Sequence, residues 1–141
     1  MGNYIVEPVA WQDKLDILRS IRTKVFVEEQ HVSIEEEWDG QDEDALHVLA
    51  LTSDRKPVGT ARLLASGQIG RMAVLPDYRK QGIGSAMLKR LLKIASDNGI
   101  DNLFLNAQVD AIEFYKRLGF TEQGEIFMEA GIKHRKMILQ C

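Results

Sequence analysis

The sequence predicts an α+β domain with a mixed, mostly antiparallel sheet of about seven strands and helices on both faces. Three observations support this fold class. Three consecutive apolar segments, separated only by short turns, predict three successive antiparallel strands within residues 46–75. A helical segment then connects the third of these strands to another short strand, and a crossover of this kind makes the two strands parallel. The chain closes with a hairpin around Ala130-Gly131.

The first elements are a strand and a long helix. Residues 4–9 predict the strand. Residues 11–26 predict the helix, because apolar side chains recur there at spacings of three and four. These side chains are Leu15, Leu18, Ile21, Val25 and Phe26. A segment of about 17 residues without clear periodicity follows, with a short helix predicted around residues 33–38.

The remaining elements follow in order. Residues 46–52 and 58–65 predict a hairpin, and residues 69–75 predict a strand that ends at Pro76. The next helix begins at Gly84 and ends at residues 97–99. Residues 103–107 predict a buried strand, and a capping box at residues 110–113 predicts the start of the last helix. The closing hairpin comprises strands at 125–128 and 134–139. No repeat or linker interrupts these elements, so residues 1–141 are expected to form a single domain.

Composition excludes several classes of protein. No run approaches 18 apolar residues, and the N-terminal residues lack the basic and apolar regions of a secretory signal. We therefore expect a cytoplasmic protein that does not associate with a membrane. The single cysteine, Cys141, cannot form an intrachain disulfide or a cysteine metal cluster, and no metal site is expected.

The charges are divided unevenly along the chain. Residues 28–44 contain nine Asp and Glu residues and no Lys or Arg. Removing these nine from the total of 21 leaves 12 acidic residues against 18 basic ones, so the rest of the chain has a balance of +6. A basic body suits a polyanionic ligand. Nucleic acid is not expected as a partner, because no stripe of basic and aromatic residues is present.

A glycine-rich loop joins the strand at 69–75 to the following helix. The turn directs unpaired N–H groups of a helix N-terminus at one point, which favours an anion and most often a phosphate. Gly82 and Gly84 let the backbone approach closely, and Arg79 and Lys80 add positive charge. A tight connection without a ligand is the alternative. The loop lacks a P-loop lysine, and Met87 stands where a dinucleotide fingerprint needs a small residue.

Two motifs resemble those of the GCN5-related N-acetyltransferases (GNAT). Arg79-x-x-Gly82-x-Gly84 after an apolar strand resembles the family's pyrophosphate motif, Q/R-x-x-G-x-G/A. A tyrosine shortly before a Gly-Phe pair, the second signature, appears in residues 114–120. Other segments resemble the small bacterial ElaA/YjcF-like branch, in which a proline often stands where this chain has Lys133. These segments are residues 25–30, Asp39-Gly40, His47 and residues 129–134.

The resemblance implies the GNAT (acyl-CoA N-acyltransferase) fold and a binding site for acetyl-CoA. The site would lie where the strands at 69–75 and 103–107 splay apart. The first strand would pair with the pantetheine arm, and the loop amides would hold the pyrophosphate. Asn106 would hydrogen-bond the pantetheine or the acceptor. Its alternative role is to cap a turn. The implied cofactor-binding residues are Met72, Ala73, Val74, Arg79, Lys80, Gln81, Gly82, Ile83, Gly84, Ser85, Asn106 and Tyr115.

The resemblance also implies the chemistry. The acetyl group would pass to a primary amine by direct attack, without a metal or a covalent intermediate. Tyr115 would be the general acid that protonates the leaving thiolate, because it matches the family's tyrosine; packing of its helix is the alternative role. The general base is a water chain or a side chain. Glu29 is favoured because it follows the first helix, and the other candidates are Glu28, His47, Glu129 and His134.

The expected partner is a small-molecule or peptide amine, whose identity the sequence leaves open. The acidic segment at residues 28–44 either is a solvated loop or walls the acceptor pocket and attracts a cationic amine. A homodimer formed through the last strands is also open. The alternative function is an acetyl-CoA-binding regulatory or interaction module without transferase activity. A third possibility is a nucleotide enzyme that uses the glycine loop.

Overall fold

The structure, a computed structural model, describes residues 4–140, with side chains through residue 139. Residues 1–3 and 141, including the expectations for Cys141 and for the full extent of the domain, lie outside the described residues. Seven strands form one sheet in the order β1-β2-β3-β4-β5-β7-β6. All neighbours are antiparallel except β4 and β5, so the predicted mixed sheet is confirmed. The strands are β1 Tyr4–Val9, β2 Leu46–Thr52, β3 Pro57–Leu63, β4 Gln68–Val74, β5 Asn102–Gln108, β6 Thr121–Glu129 and β7 Ile132–Gln140.

Helices cover both faces of the sheet, as predicted. They are α1 Trp11–Arg22, α2 Ile34–Glu37, α3 Ile83–Asp97 and α4 Ile112–Arg117. Alternation in β2 divides the core: Val48 and Ala50 face α3, whereas Leu49 and Leu51 face α1. On α3, a stripe of buried side chains packs against the sheet.

The structure differs from two local predictions, in the type of one helix and in the cap of another. The first helix does not continue to residue 26 as α-helix, because it ends at Arg22 and becomes a π-helix over Thr23–Glu29. In this segment the Gln30 N–H reaches back five residues to the Val25 oxygen at 3.1 Å. The predicted capping box does not form, since a 3₁₀ turn occupies Val109–Ala111 and α4 begins only at Ile112 without a side-chain cap.

The parallel strands β4 and β5 pair over only two positions. Gln68 lies opposite Phe104 and Ile69 opposite Leu105, and the described residues show no pairing between the strands beyond that. At the closed end, the Phe104 N–H donates to the Gly67 oxygen at 3.1 Å. A Cβ at Gly67 would lie 2.1 Å from the Asn102 oxygen, so only glycine allows this approach. The strands therefore splay apart toward their C-terminal ends, as the family resemblance implies.

A bulge at Arg71 directs β4 away from β5. The register between β3 and β4 shifts between Thr60 and Arg62, where Arg71 adopts a positive φ of 48°. A positive φ is unusual for a residue other than glycine. The Arg71 side chain donates to the backbone oxygens of Glu36 at 3.1 Å and Glu37 at 3.2 Å. The bulge thus ties the acidic segment to the open end of β4.

Buried ion pairs hold the acidic segment to the sheet and to α1. Arg22 Nε lies 2.6 Å from Glu37 Oε2, and Arg22 Nη1 lies 2.7 Å from Asp42 Oδ1. Arg62 reaches both Asp42, at 3.0 Å, and Asp39, at 2.9 Å. Arg22, Glu37 and Asp42 are all buried. The interpretation of the segment as a solvated loop is therefore wrong for Glu37 and Asp42. The Asp39 side chain is half-buried and paired with Arg62 and Arg71, whereas the remaining carboxylates of the segment are exposed.

The pKa values show how these charges balance. Burial raises the pKa of Asp39, but hydrogen bonds from Arg62 and the Gln41 amide, together with the charge of Arg71, outweigh burial and lower it from 3.8 to about 2. For Glu37, burial prevails over the nearby arginines and its pKa is raised. Because the folded-state pKa of Asp39 is depressed, its contribution to stability is complete above about 3.8 and is lost as the pH falls toward 2.

Replacing Arg22 by alanine is expected to lower the free energy of unfolding by about 3 kcal/mol. Glu37 and Asp42 would each lose their nearest guanidinium and keep only the longer ion pairs with Arg71 and Arg62. Urea unfolding followed by circular dichroism measures the loss. Arg55→Ala is the matched control: its ion pair with Glu7 is exposed and should contribute no more than about 1 kcal/mol. Equal effects of the two substitutions would contradict the assigned role of Arg22.

Candidate functional site

The N-terminus of α3 presents a row of unpaired backbone N–H groups. The helix begins at Ile83, one residue before the predicted start, and its N-cap Gly82 has a φ of 87° and makes no side-chain cap. Lys80 also has a positive φ, of 63°. Ala86 is the first residue whose N–H bonds back into this turn, to the Gly82 oxygen at 3.0 Å. Within the described hydrogen bonds, the amides of residues 80–85 have no partner and are available to an anion.

The open edge of β4 continues this row of free groups. The Leu75 N–H donates to Val58 on β3 at 2.9 Å. Because backbone groups alternate along a strand, those of Ala73 also face β3, whereas those of Met72 and Val74 face the gap. The pairing of Met72 and Val74 with a pantetheine arm stays a prediction. Ala73 is buried and offers the gap no polar group.

Two residues of the predicted phosphate loop have their side chains engaged within the protein. Arg79 forms two hydrogen bonds of 2.6 Å to Glu29, and its Nε donates to the Val74 oxygen at 2.9 Å. The Gln81 amide accepts from the Tyr4 hydroxyl. The hydrogen bond from Arg79 lowers the pKa of Glu29, which makes Glu29 a weaker proton acceptor. The roles predicted for Arg79 and Glu29 stay predictions, but the ion pair does not favour Glu29 as a base.

Tyr115 lies on α4, beside the gap. Its hydroxyl is 3.9 Å from the sulfur of Met72, and its ring makes edge contacts with Phe114 and Phe120. Burial raises the pKa of Tyr115 to about 12, so the phenol keeps its proton at neutral pH. A Cβ placed at Gly84 would lie 3.9 Å from the same Met72 sulfur. The start of α3, Met72 and the Tyr115 hydroxyl therefore follow one another along the gap.

A cavity of about 620 Å³ opens where β4 and β5 separate. Met72, Asn106 and Tyr115 line it, and residues 35–37 of the acidic segment form a wall. The end of the π-helix reaches the cavity at Gln30, which accepts a hydrogen bond of 2.9 Å from the Gln108 amide on β5. The cavity thus brings together side chains from both sides of the splayed strands.

The cavity separates the five candidates for the general base. Glu129 and His134, on β6 and β7, line it. Glu28 and Glu29 are exposed and do not line it. His47 lies in a second cavity of about 740 Å³, where it stacks on Trp11 at 5.1 Å. Proximity of this kind depends on the tertiary fold, so the sequence could not make the distinction.

The sequence analysis missed Arg71, Gln30 and Gln108, which also line the cavity. No local signal marks Arg71, because a bulge with positive φ at an arginine has no sequence pattern. No group of three or more His, Cys, Asp or Glu side chains within the described part of the chain is arranged to hold a metal ion. Among residues 4–140, no helix is both long and apolar enough to cross a membrane.

Comparison with known families identifies this arrangement. A family model described as an acetyltransferase (GNAT) domain matches residues 12–141. The chain belongs to the GNAT acetyltransferase family. The family predicted from the glycine loop and from the tyrosine before the Gly-Phe pair is thereby confirmed, and so is the predicted fold.

Individual GNAT relatives agree with this assignment. The uncharacterised N-acetyltransferase YjcF of Bacillus subtilis (strain 168) is 38% identical over 122 residues, which cover 84% of this chain and 86% of that protein. An acyl-CoA N-acyltransferase from Pseudomonas aeruginosa, known from a crystal structure, is 29% identical in sequence. Its structure superimposes with a TM-score of 0.86, and the match covers 97% of this chain and 99% of that one. Escherichia coli ElaA has the same TM-score at 27% identity, with coverage of 96% and 99%.

Proposed function

We propose that the protein is an acetyl-CoA-dependent N-acetyltransferase that acts on a primary amine. The observation that supports this best is the set of free backbone groups at the N-terminus of α3 and on the side of β4 that faces the gap. The gap opens into a cavity large enough for an acceptor, next to a protonated phenol. Membership of the GNAT family supports an acyl-CoA as the acyl donor.

The residues present fit an acyl-CoA. The amides of residues 80–85 would hold its pyrophosphate, and Lys80 would add a positive charge. The backbone of Met72 and the N–H of Val74 face the gap and would pair with the pantetheine arm as an added strand does. Bound acetyl-CoA would supply a thioester whose carbonyl carbon is open to attack by an amine.

The chain's own groups would then assist the transfer. Backbone N–H groups in the gap can polarise a carbonyl, because they are fixed in direction before the reaction. Tyr115 keeps a proton at neutral pH and would give it to the departing sulfur. The cavity would hold the acceptor close to the carbonyl, so that two substrates react as one complex.

We propose a cationic acceptor, either a small molecule or a peptide amine. Arginines neutralise Glu37 and Asp39, but Glu35, Glu36 and Glu129 are exposed carboxylates along the same cavity. Their charge would attract an amine in its protonated form. A cytoplasmic location, a homodimer and the absence of nucleic-acid and membrane partners stay predictions.

Gly84→Asp is expected to weaken CoA binding by at least about tenfold, because its carboxylate would repel a phosphate at the start of α3. The fold should tolerate the change: the nearest atom to a Cβ there, in Phe114, is 3.5 Å away, and an acidic residue in the first turn favours the helix. Calorimetry with CoA measures the affinity. Gly84→Ala is the control, since it adds a Cβ without charge. An unchanged affinity in the aspartate variant would refute this phosphate site.

Transfer itself is tested with acetyl-CoA and a panel of amines: spermidine, kanamycin, glucosamine, lysine and a lysine-containing peptide. Mass spectrometry should detect an acetylated product from at least one of them. If acetyl-CoA binds but neither the panel nor metabolite extracts yield a product, the regulatory or interaction module is the better account. If calorimetry detects no binding at high micromolar concentration, both accounts fail.

Tyr115→Phe is expected to lower kcat by about 10²-fold, because the departing sulfur would lose its proton donor. The dissociation constant of acetyl-CoA should stay nearly unchanged, since the ring and its packing remain. Initial rates and calorimetry on the same preparation separate the two effects. Tyr78→Phe, at a tyrosine that does not line the cavity, serves as the control. Turnover equal to that of the wild type would exclude Tyr115 as the acid.

A further inference from the structure

His134 has a geometry that fixes which of its ring nitrogens carries the proton. The residue lies on β7, is 6% exposed and lines the cavity. Its Nδ1 is 2.7 Å from the backbone oxygen of Ile132. A carbonyl oxygen can only accept, so Nδ1 must be the donor. In the neutral ring, Nε2 then has a free lone pair and can accept a proton.

The β6–β7 hairpin holds this ring in place and puts a carboxylate beside it. Ala130 and Gly131 both have positive φ, as a tight two-residue turn requires. The register places Phe127 opposite His134, and the two rings stack with centroids 6.0 Å apart. Glu129 Oε2 lies 3.8 Å from His134 Nε2. A charged imidazolium would therefore form next to an opposite charge.

We propose that His134 is the general base for the acceptor amine and that Glu129 stabilises the imidazolium. This inference rests on the proposed transferase activity. Of the two base candidates that line the cavity, His134 is buried with its lone pair fixed in direction, whereas Glu129 is exposed. Nε2 takes one proton from the ammonium nitrogen, and the lone pair that this frees forms the N–C bond. The C–S bond breaks, and the sulfur takes the proton of Tyr115. Water then carries the second proton of the nitrogen to the phenolate, and the proton on Nε2 passes to solvent.

Other charged groups around the cavity affect the pH profile. Glu129 faces the ring from β6, and the neutral amide Gln108 lies opposite His134 on β5. The remaining charged or ionisable side chains that line the same cavity are Glu35, Glu36, Glu37, Asp39, Arg62, Arg71 and Tyr115. Replacing His134 alone should therefore change how steeply the rate depends on pH near neutrality. The contributions of the other charged side chains to the pH–rate profile should remain.

His134→Asn separates catalysis from structure. The asparagine amide can still donate to the Ile132 oxygen, but it has no group that accepts a proton at the position of Nε2. At neutral pH, kcat with the panel amine of highest kcat/KM should fall by about 10²-fold. The affinity for acetyl-CoA and the melting temperature should stay near those of the wild type. Near pH 10, where the amine is itself neutral, the variant should approach the wild-type rate.

Two further variants complete the test. In His134→Ala, added imidazole should restore part of the activity, whereas imidazole should not affect His47→Asn, a buried histidine in the other cavity. If the wild type acetylates an amine and His134→Asn retains its rate within about threefold, His134 is not the base and the transferase assignment stands. Two results together would likewise overturn the inference. Imidazole would fail to restore activity in folded His134→Ala, and His134→Asn would lose the same fraction of the rate at all pH values. If the wild type acetylates no amine, the proposed function and the inference fail together.

Discussion

The candidate site depends on the loss of hydrogen bonding between β4 and β5 after two residue pairs. Two features enforce the separation: Gly67 fixes the closed end, where no side chain fits, and the bulge at Arg71 bends β4 away. Unpaired backbone groups are unfavourable when buried without a partner. Here they lie along a gap, and part of the demand is met within the protein, since Arg79 donates to the Val74 oxygen. The gap in the sheet therefore lies beside the N-terminus of α3 and the Tyr115 hydroxyl.

The arginine and carboxylate network extends the same constraint to the cavity wall. The acidic segment has few apolar side chains with which to pack, so ion pairs attach it. Each buried carboxylate has a guanidinium partner, and Arg22 lies 4.9 Å from the Trp38 ring centroid, which covers its face. Buried ion pairs of this kind contribute little net stability, because desolvation offsets attraction. Their effect is to fix the position of the segment. Arg71 hydrogen-bonds α2 to the bulge in β4, so the same residue holds the cavity wall and lies beside the gap.

Sequence patterns predicted those parts of the molecule that depend on local or periodic signals. The strands follow from short apolar segments bounded by turns, and the glycine loop located the start of α3 within one residue. The π-helix was missed because spacings of three and four do not distinguish bonds to the fourth residue from bonds to the fifth. Ion pairs between distant segments, such as Arg79 with Glu29, have no local signal. The motif pointed to Tyr115, and position after the first helix pointed to Glu29 as the base, but the sequence could not show that Arg79 occupies the Glu29 carboxylate.

Direct attack on a thioester sets a geometric requirement that a single residue cannot meet. The amine and the sulfur are bound to the same carbon in the transition state, and one must lose a proton while the other gains one. A donor that is protonated at rest and an acceptor with a free lone pair must therefore approach from different sides. Tyr115 on α4 meets the first condition because burial holds its proton. His134 on β7 meets the second because the Ile132 carbonyl holds the ring proton on Nδ1. Both residues line the cavity that opens where the strands splay, so the two proposed roles would fall on separate elements of the fold.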